Sequence, residues 1–385
     1  MTKSRQRTYL FVFLAFILLF LGFIFKTQEH MRDFEVNYTA GKRLVAGETL
    51  YQRGDGHYIF KYLPSSALFY LPLSLLPLWL AKAIWFYLVA FSIFSLVYIS
   101  YQLIPEKGGR PKYLLVLTPL ILAKFLLREL QLGQINAVVG MVLLFMAWLM
   151  ISEREEKPWQ KEIGAGALWG LAVALKPHSL IFLPYFVVKK KWGALGSGLG
   201  VLIFSLFVTS FFYGFRQYLI VFKDWVSQLS RTTPHLFTSQ DNISIMALFM
   251  KWTDNRSLSL ILGAVVIALL AFLVLAVVLK GRDAARAPVL ECAVLLILIP
   301  LVSPLGWDYT LLVSVPGVML ILQNFSRYSR LWRGVLVINF FIIAFSLFDI
   351  MGRELYAKFM SWSVITVNFL ILIGYLSFLR FKKVC

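Results

Sequence analysis

Apolar runs separated by short polar breaks fill the chain from end to end. The first begins at Tyr9, after Lys3, Arg5 and Arg7, and closes at Phe25 before Lys26. Crossing a bilayer takes about 17–25 apolar residues, fewer where a helix is buried or re-entrant. No small-residue cleavage site follows the run, so it predicts an uncleaved first helix rather than a secretory signal. Further spans are predicted near 82–104, 112–127, 133–151, 164–176, 177–189, 193–213, 258–279, 288–302, 308–323, 334–349 and 361–379, twelve in all. Residues 164–189 could form one helix, but Pro177 lacks an amide donor and predicts a break after Lys176.

Composition removes the soluble alternative. Hydrophobic residues make up 59% of the 385 and charged residues 15%, against about 45–50% and about 25% in soluble domains. The fold class expected is an all-α polytopic membrane protein. A net charge of +19 raises nucleic-acid binding, but the basic residues sit in short clusters between apolar runs, as membrane topology requires; no nucleic-acid partner is expected. Cys292 and Cys385 supply neither a disulfide framework nor a metal-ligand pattern.

Charge also predicts the orientation. With both termini cytoplasmic and twelve crossings, the inner segments hold 21 Lys and Arg in 56 residues and the outer segments 15 in 122. That has the sign of the positive-inside rule, and the break at Pro177 is needed to keep Lys189, Lys190 and Lys191 inside. Residues 63–80, with Pro64, Pro72 and Pro77, would reverse the following loops if they crossed. They are read as an outer juxtamembrane or re-entrant element walling a cavity, where broken backbone is tolerated. One membrane domain over 1–385 is expected, with long outer loops at 26–81 and 214–257 forming two caps rich in aromatic residues. The working site is then extracytoplasmic, in a multi-pass protein of the plasma (inner) membrane.

Candidate chemistry gathers at these outer segments. Asp33 follows the first span and, if the segment is helical, shares a spacing with Tyr38 and Lys42, with Gly41 and Gly47 breaking the pattern. A carboxylate there suits a general base, or simply a loop acid or cap. Arg128, Gln134 and Asn136 cluster where the third span ends and the fourth begins; such side chains cap a helix or hold a polar ligand. Lys176 is an isolated cation at a membrane boundary, fit for a lipid phosphate or for snorkelling. His178 beside it suits the same phosphate or a structural role. Asp241 and Asn242 precede an apolar run and could cap a helix. Ser303, Pro304, Trp307 and Asp308 form a turn presenting an indole and a carboxylate, although Trp is also an ordinary interfacial anchor. Lys124 and Glu291 are the main ionisable residues inside spans. No Walker A loop, G-x-G-x-x-G, H-E-x-x-H or Cys/His pattern occurs.

The order of these pieces resembles the membrane glycosyltransferases of the GT-C superfamily, and within it glycosyltransferase family 87, which includes polyprenol-phosphate-mannose-dependent α-1,2-mannosyltransferases. The resemblance rests on Asp33-Phe34, Tyr38, Ala40, Gly47 and Tyr51; on Phe60, Tyr62 and Pro64; on Gly133-Gln134-x-Asn136; on Gly170-Leu171 to Lys176-Pro177, with Trp192; on Asn242 and Ser244; and on Ser303-Pro304 with Trp307-Asp308. Leu63 stands where the family has the first Pro of its Tyr-Pro-Pro, and Tyr309 where it has His after the Asp; His178 or His235 could replace that imidazole.

The resemblance implies a GT-C fold of about twelve transmembrane helices with extracytoplasmic juxtamembrane helices. It implies an inverting transfer of a hexose, mannose in the named subgroup, from a polyprenyl-phosphate donor to a glycan or glycolipid acceptor in the envelope. In that reading Asp33 is the catalytic base. Lys176, Arg128 and His178 bind the donor phosphate, and Tyr62, Gln134, Asn136, Asn242, Trp307 and Asp308 bind substrate. The lipid-linked sugar is a co-substrate; no cofactor or metal is expected, because a monophosphate held by Lys and Arg needs none. Rival readings are a transporter or flippase of a lipid-linked sugar, another GT-C activity such as protein O-mannosylation or lipid A sugar transfer, and an inactive scaffold. An internal two-fold repeat would favour the transporter, and none is evident between the halves.

Overall fold

The computed structural model describes residues 17–55, 58–104, 109, 111–151, 158–253, 255–280 and 287–382. The predicted N-terminal basic cluster, most of the basic loops at 104–112, 152–163 and 280–287, and Cys385 lie outside the described residues.

The described residues are mostly helical, and each predicted span, over its described part, falls on helical backbone. The apolar helix α1, Ile17–Thr27, closes in a π-helical turn over Phe23–Thr27. Among the described residues, four helices are long and apolar enough to cross a bilayer alone: α4 Leu78–Leu103, α10 Trp192–Tyr213, α13 Arg256–Lys280 and α18 Val364–Phe381. Two further stretches bend sharply. α6 Ala123–Leu132 and α7 Asn136–Ile151 meet at 118°, and α16 Arg330–Phe345 and α17 Phe348–Ser361 at 104°. Shorter apolar helices run over Pro177–Val188, α14 Ala287–Val302 and Asp308–Gln323. Short elements suffice for α14 because it is buried along nearly its whole length among other helices, whereas α10 and α13 keep most of their apolar surface exposed, as lipid-facing helices do.

The break at Pro177 is present. α8, Pro158–Leu175, stops at Lys176, whose backbone is extended (φ −148°, ψ 109°), and a 3₁₀ turn begins at Pro177. α8 packs along α10 through small residues. A Cβ on Gly170 would lie 2.2 Å from the Gly198 carbonyl oxygen, and one on Gly166 2.0 Å from that of Ala194. Helices held this close need glycine at the contact, since apolar surface gains little by leaving lipid.

Both long loops fold into helices. In the first, α2 Arg32–Val45 packs on α3 Ser66–Ser74, which contains Pro72. Gly41 does not break α2, contrary to expectation; it lies mid-helix, where a Cβ would meet Ser74 Cβ at 2.9 Å, and so serves the α2–α3 contact. Gly47, with φ +67°, lies just beyond the helix end. The second loop holds the amphipathic α11, Phe215–Thr232, and α12, Ile245–Trp252. The cap of α12 is Ser244, whose hydroxyl accepts from Ala247 N at 3.1 Å, not Asp241 or Asn242. Residues 350–360, expected as a loop, form most of α17.

The intraspan charges have internal partners. Glu291 accepts from Lys189 at 2.9 Å and lies 3.6 Å from Arg380. Lys124 donates to Ser346 Oγ at 2.6 Å and to the Ser346 carbonyl at 3.1 Å.

Candidate active site

The site begins at Gly133, which ends α6 in a left-handed conformation (φ +67°, ψ 39°). A side chain is excluded twice over, because a Cβ would lie 2.8 Å from Phe34 Cβ in α2 and L residues are strained at that φ. Trp85 in α4 donates its indole N–H to the Gly133 carbonyl at 2.7 Å and stacks on Phe34, with ring centroids 5.5 Å apart. The turn therefore delivers Gln134 against the first turn of α2, which carries Asp33, and starts α7 at Asn136.

Gln134 is the hub of the first polar cluster. Its amide N–H₂ donates to Asp33 Oδ2 and, at 3.1 Å, to the Tyr309 hydroxyl, and its carbonyl accepts from the Tyr62 hydroxyl at 3.3 Å. Lys176 Nζ lies 5.5 Å from the centroid of the same Tyr62 ring and donates to Asn136 Oδ1. Asp33 and Lys176 thus belong to one cluster at one end of the bundle. Burial pushes the Asp33 carboxyl above the ordinary carboxylate range, opposed by the Gln134 hydrogen bond and by the charges of Lys176, Lys61 and Arg128. Burial lowers the Lys61 ammonium, with Asp33 opposing.

A second cluster abuts the first at Tyr309. Arg128 donates to Asp241 Oδ2 at 2.6 Å and to Asp308 Oδ2 at 3.2 Å, and its guanidinium carbon stands 5.8 Å from the Tyr309 ring centroid. The cation expected to meet donor phosphate therefore already bridges two carboxylates. Asp308, expected to touch substrate, is buried with its other oxygen accepting from Tyr309 N at 2.8 Å. Asn242 is 0% exposed, and its side chain is filled from within. It donates to the carbonyls of Leu236 and Pro304, both at 3.1 Å, and accepts from Ser244 N at 3.0 Å and Gly306 N at 3.2 Å. An amide has two donors and two lone pairs, so the substrate contact expected of Asn242 gives way to a latch between the second long loop and the 303–308 turn. An isolated bridge pairs Asn242 with the half-buried Trp307. His178 lies half-buried beside Lys176, while His235 is exposed on a 3₁₀ turn. Tyr309, not another imidazole, occupies its own place in the Gln134 network.

Two residues escaped the sequence reading. Glu129 lies between Arg128 and the turn in the stretch LLRELQLGQIN, and a single acid among apolar residues carries no periodic signal. Lys61 lies in the long 26–81 loop with no signal to single it out. Among the described residues, no three His, Cys, Asp or Glu side chains gather as a metal site would need. A cleft of about 200 Å³ runs along the neighbouring face of α2, lined by Arg32, Glu35, Arg43, Asp55 and Phe60 among others, and does not include Asp33.

A family model for glycosyltransferase family 87 matches residues 60–304. The chain belongs to glycosyltransferase family 87. The match takes in Tyr62, Arg128, Gln134, Asn136, Lys176 and Asn242; Asp33, Trp307 and Asp308 fall outside it. The chain is 28% identical over 262 residues to an α-(1→3)-arabinofuranosyltransferase of Corynebacterium glutamicum. That alignment covers 62% of this chain and 57% of the relative, so the chain spans little more than half the relative's length. A crystal structure of ArnT from Cupriavidus metallidurans in the apo state superposes with a TM-score of 0.40 at 13% identity, over 98% of this chain and 78% of that one.

Proposed function

We propose that this family 87 member is a membrane glycosyltransferase that moves a sugar from a polyprenyl-phosphate donor to an extracytoplasmic glycan or glycolipid. Asp33 Oδ takes the proton of the acceptor hydroxyl, and the acceptor oxygen bonds to the anomeric carbon from the face opposite the phosphate. The bond from that carbon to the phosphate oxygen breaks, and its electron pair leaves with polyprenyl phosphate, inverting the centre. Lys176 stabilises the charge that develops on the leaving group, because a fixed cation acts most where charge appears. His178, with no ring hydrogen bond among the described residues, can reach the same phosphate. Trp307 offers an indole face to a sugar ring. The site end is extracytoplasmic under the charge asymmetry of the loops.

The observation carrying this reading is the hydrogen bond from Gln134 to Asp33, which holds a carboxylate of raised pKa within one polar cluster with Lys176. A general base poised above its ordinary range is better matched to neutral pH. A hexose is the sugar first expected. A pentofuranose is a second reading, because the relative's name specifies arabinofuranosyl transfer.

The test supplies the purified full chain with a polyprenyl-phosphate mannose and a polyprenyl-phosphate arabinofuranose, side by side, with an envelope glycan acceptor. One donor should be consumed. Asp33→Asn should keep its thermal midpoint and lose transfer; full activity would reject the base. Lys176→Met should raise the donor KM, and an unchanged donor response would remove Lys176 from the site.

A further inference from the structure

Glu129 is 0% exposed, and both its oxygens are used. Oε1 accepts from Ala137 N and Oε2 from Asn136 Nδ2, each at 2.8 Å. The first bond caps α7, and a carboxylate at a helix N-terminus is favourable there. The second does something a cap does not require. It turns the Asn136 amide so that the carbonyl oxygen faces away from Glu129, and that oxygen receives Lys176 Nζ. Lys176 is 7% exposed. A buried ammonium is costly unless paired and hydrogen-bonded, and the acids acting on it are Glu129 and Asp33. In the proposed reaction Asp33 accepts a proton and ceases to be an anion, which leaves Glu129, whose two oxygens accept hydrogen bonds, as the remaining acid beside Lys176.

We infer that Glu129 is a positioning residue that holds Lys176 through Asn136 and balances its charge, presenting the ammonium to the donor phosphate. This rests on the reading of Lys176 given above. With Gln in place of Glu129, the side chain offers one acceptor where two are needed. The Asn136 amide can then reverse to receive the new N–H, and its own N–H₂ turns towards Lys176. The lysine loses its acceptor and one of the two acids that balance its charge.

The probe is a polyprenyl monophosphate, the leaving group common to every donor of this class, titrated by tryptophan fluorescence into the detergent-purified full chain. Four proteins are compared: the parent, Glu129→Gln, Lys176→Met, and the double variant. Lys176→Met should weaken binding about ten- to hundredfold, the range for loss of a hydrogen bond to a charged group. Glu129→Gln should weaken it at least about tenfold on the same basis. The double variant should bind no more weakly than Lys176→Met, because a residue acting through another has no separate effect once that other is gone. Losses that multiply in the double variant would make Glu129 a cap alone and overturn the proposal. Tighter binding by Glu129→Gln would mean that the acid merely competes with phosphate, and would also overturn it. If Lys176→Met binds like the parent, the reading of Lys176 fails and this inference fails with it, a result distinct from the other two. Folding supplies an independent check. The double variant should melt above Glu129→Gln, since it removes a buried ammonium left with Asp33 as its remaining acid and without its Asn136 acceptor, and a double variant no more stable than the single one would refute charge balance.

Discussion

Replacing Gln134 by Leu keeps the volume of the side chain roughly while removing its amide. Asp33 then loses its hydrogen bond, and the hydroxyls of Tyr62 and Tyr309 lose their shared partner. The bond favours the charged carboxylate, so its removal raises the Asp33 pKa further above a value that burial has already raised. A hydrogen bond to a charged group contributes about 1.5–3 kcal/mol. Asp33 is half-buried, so the lower end applies. At about 1.4 kcal/mol per pKa unit, the shift is about one unit upward. A base works only when deprotonated. The acid limb of the kcat/KM profile should therefore move about one pH unit towards higher pH, with activity recovering at alkaline pH. The assay is donor consumption across pH, in detergent, for the parent and Gln134→Leu. A limb that stays in place while activity falls uniformly would refute Asp33 as the titrating base, or Gln134 as the group that tunes it.

Packing and bonding give two further expected outcomes. Asn242→Ala removes four internal hydrogen bonds, at about 0.5–1.5 kcal/mol each, and should cost about 2–6 kcal/mol and loosen the 303–308 turn; a thermal midpoint equal to the parent's would contradict the latch. Gly170→Leu pushes a side chain into the Gly198 backbone, where a Cβ alone would sit 2.2 Å from the carbonyl oxygen. It should cost about 3 kcal/mol or more, read as lost yield of monodisperse protein, whereas Gly200→Leu, where a Cβ meets nothing within 4 Å, should be tolerated.

Much of this molecule was legible along the chain. The apolar runs became helix, the break at Lys176-Pro177 occurred where proline removed a donor, and Gly133-Gln134-x-Asn136 became a tight turn beside α2. The short spans were readable because apolar content persists even where bending or burial shortens a helix. The jobs of individual polar residues were less so. Arg128 looked like a free cation until Asp241 and Asp308 were found on either side of it, 113 and 180 residues away along the chain. Gly41 looked like a breaker because intrinsic propensity ignores a neighbouring helix that requires closeness.

What the sequence determined by itself was which segments leave water, and at which turns polar groups must collect, because transfer of apolar side chains into lipid depends on local composition alone. Only the tertiary structure decided which of those polar groups remain available to a substrate. Asn242 has its hydrogen-bonding positions filled from within, Arg128 bridges Asp241 and Asp308, and Glu129, silent in the sequence, stands behind Lys176. A buried hydrogen-bonding group is defined by what fills its remaining valences, and those partners come from turns far apart in the chain that meet only when the helices pack.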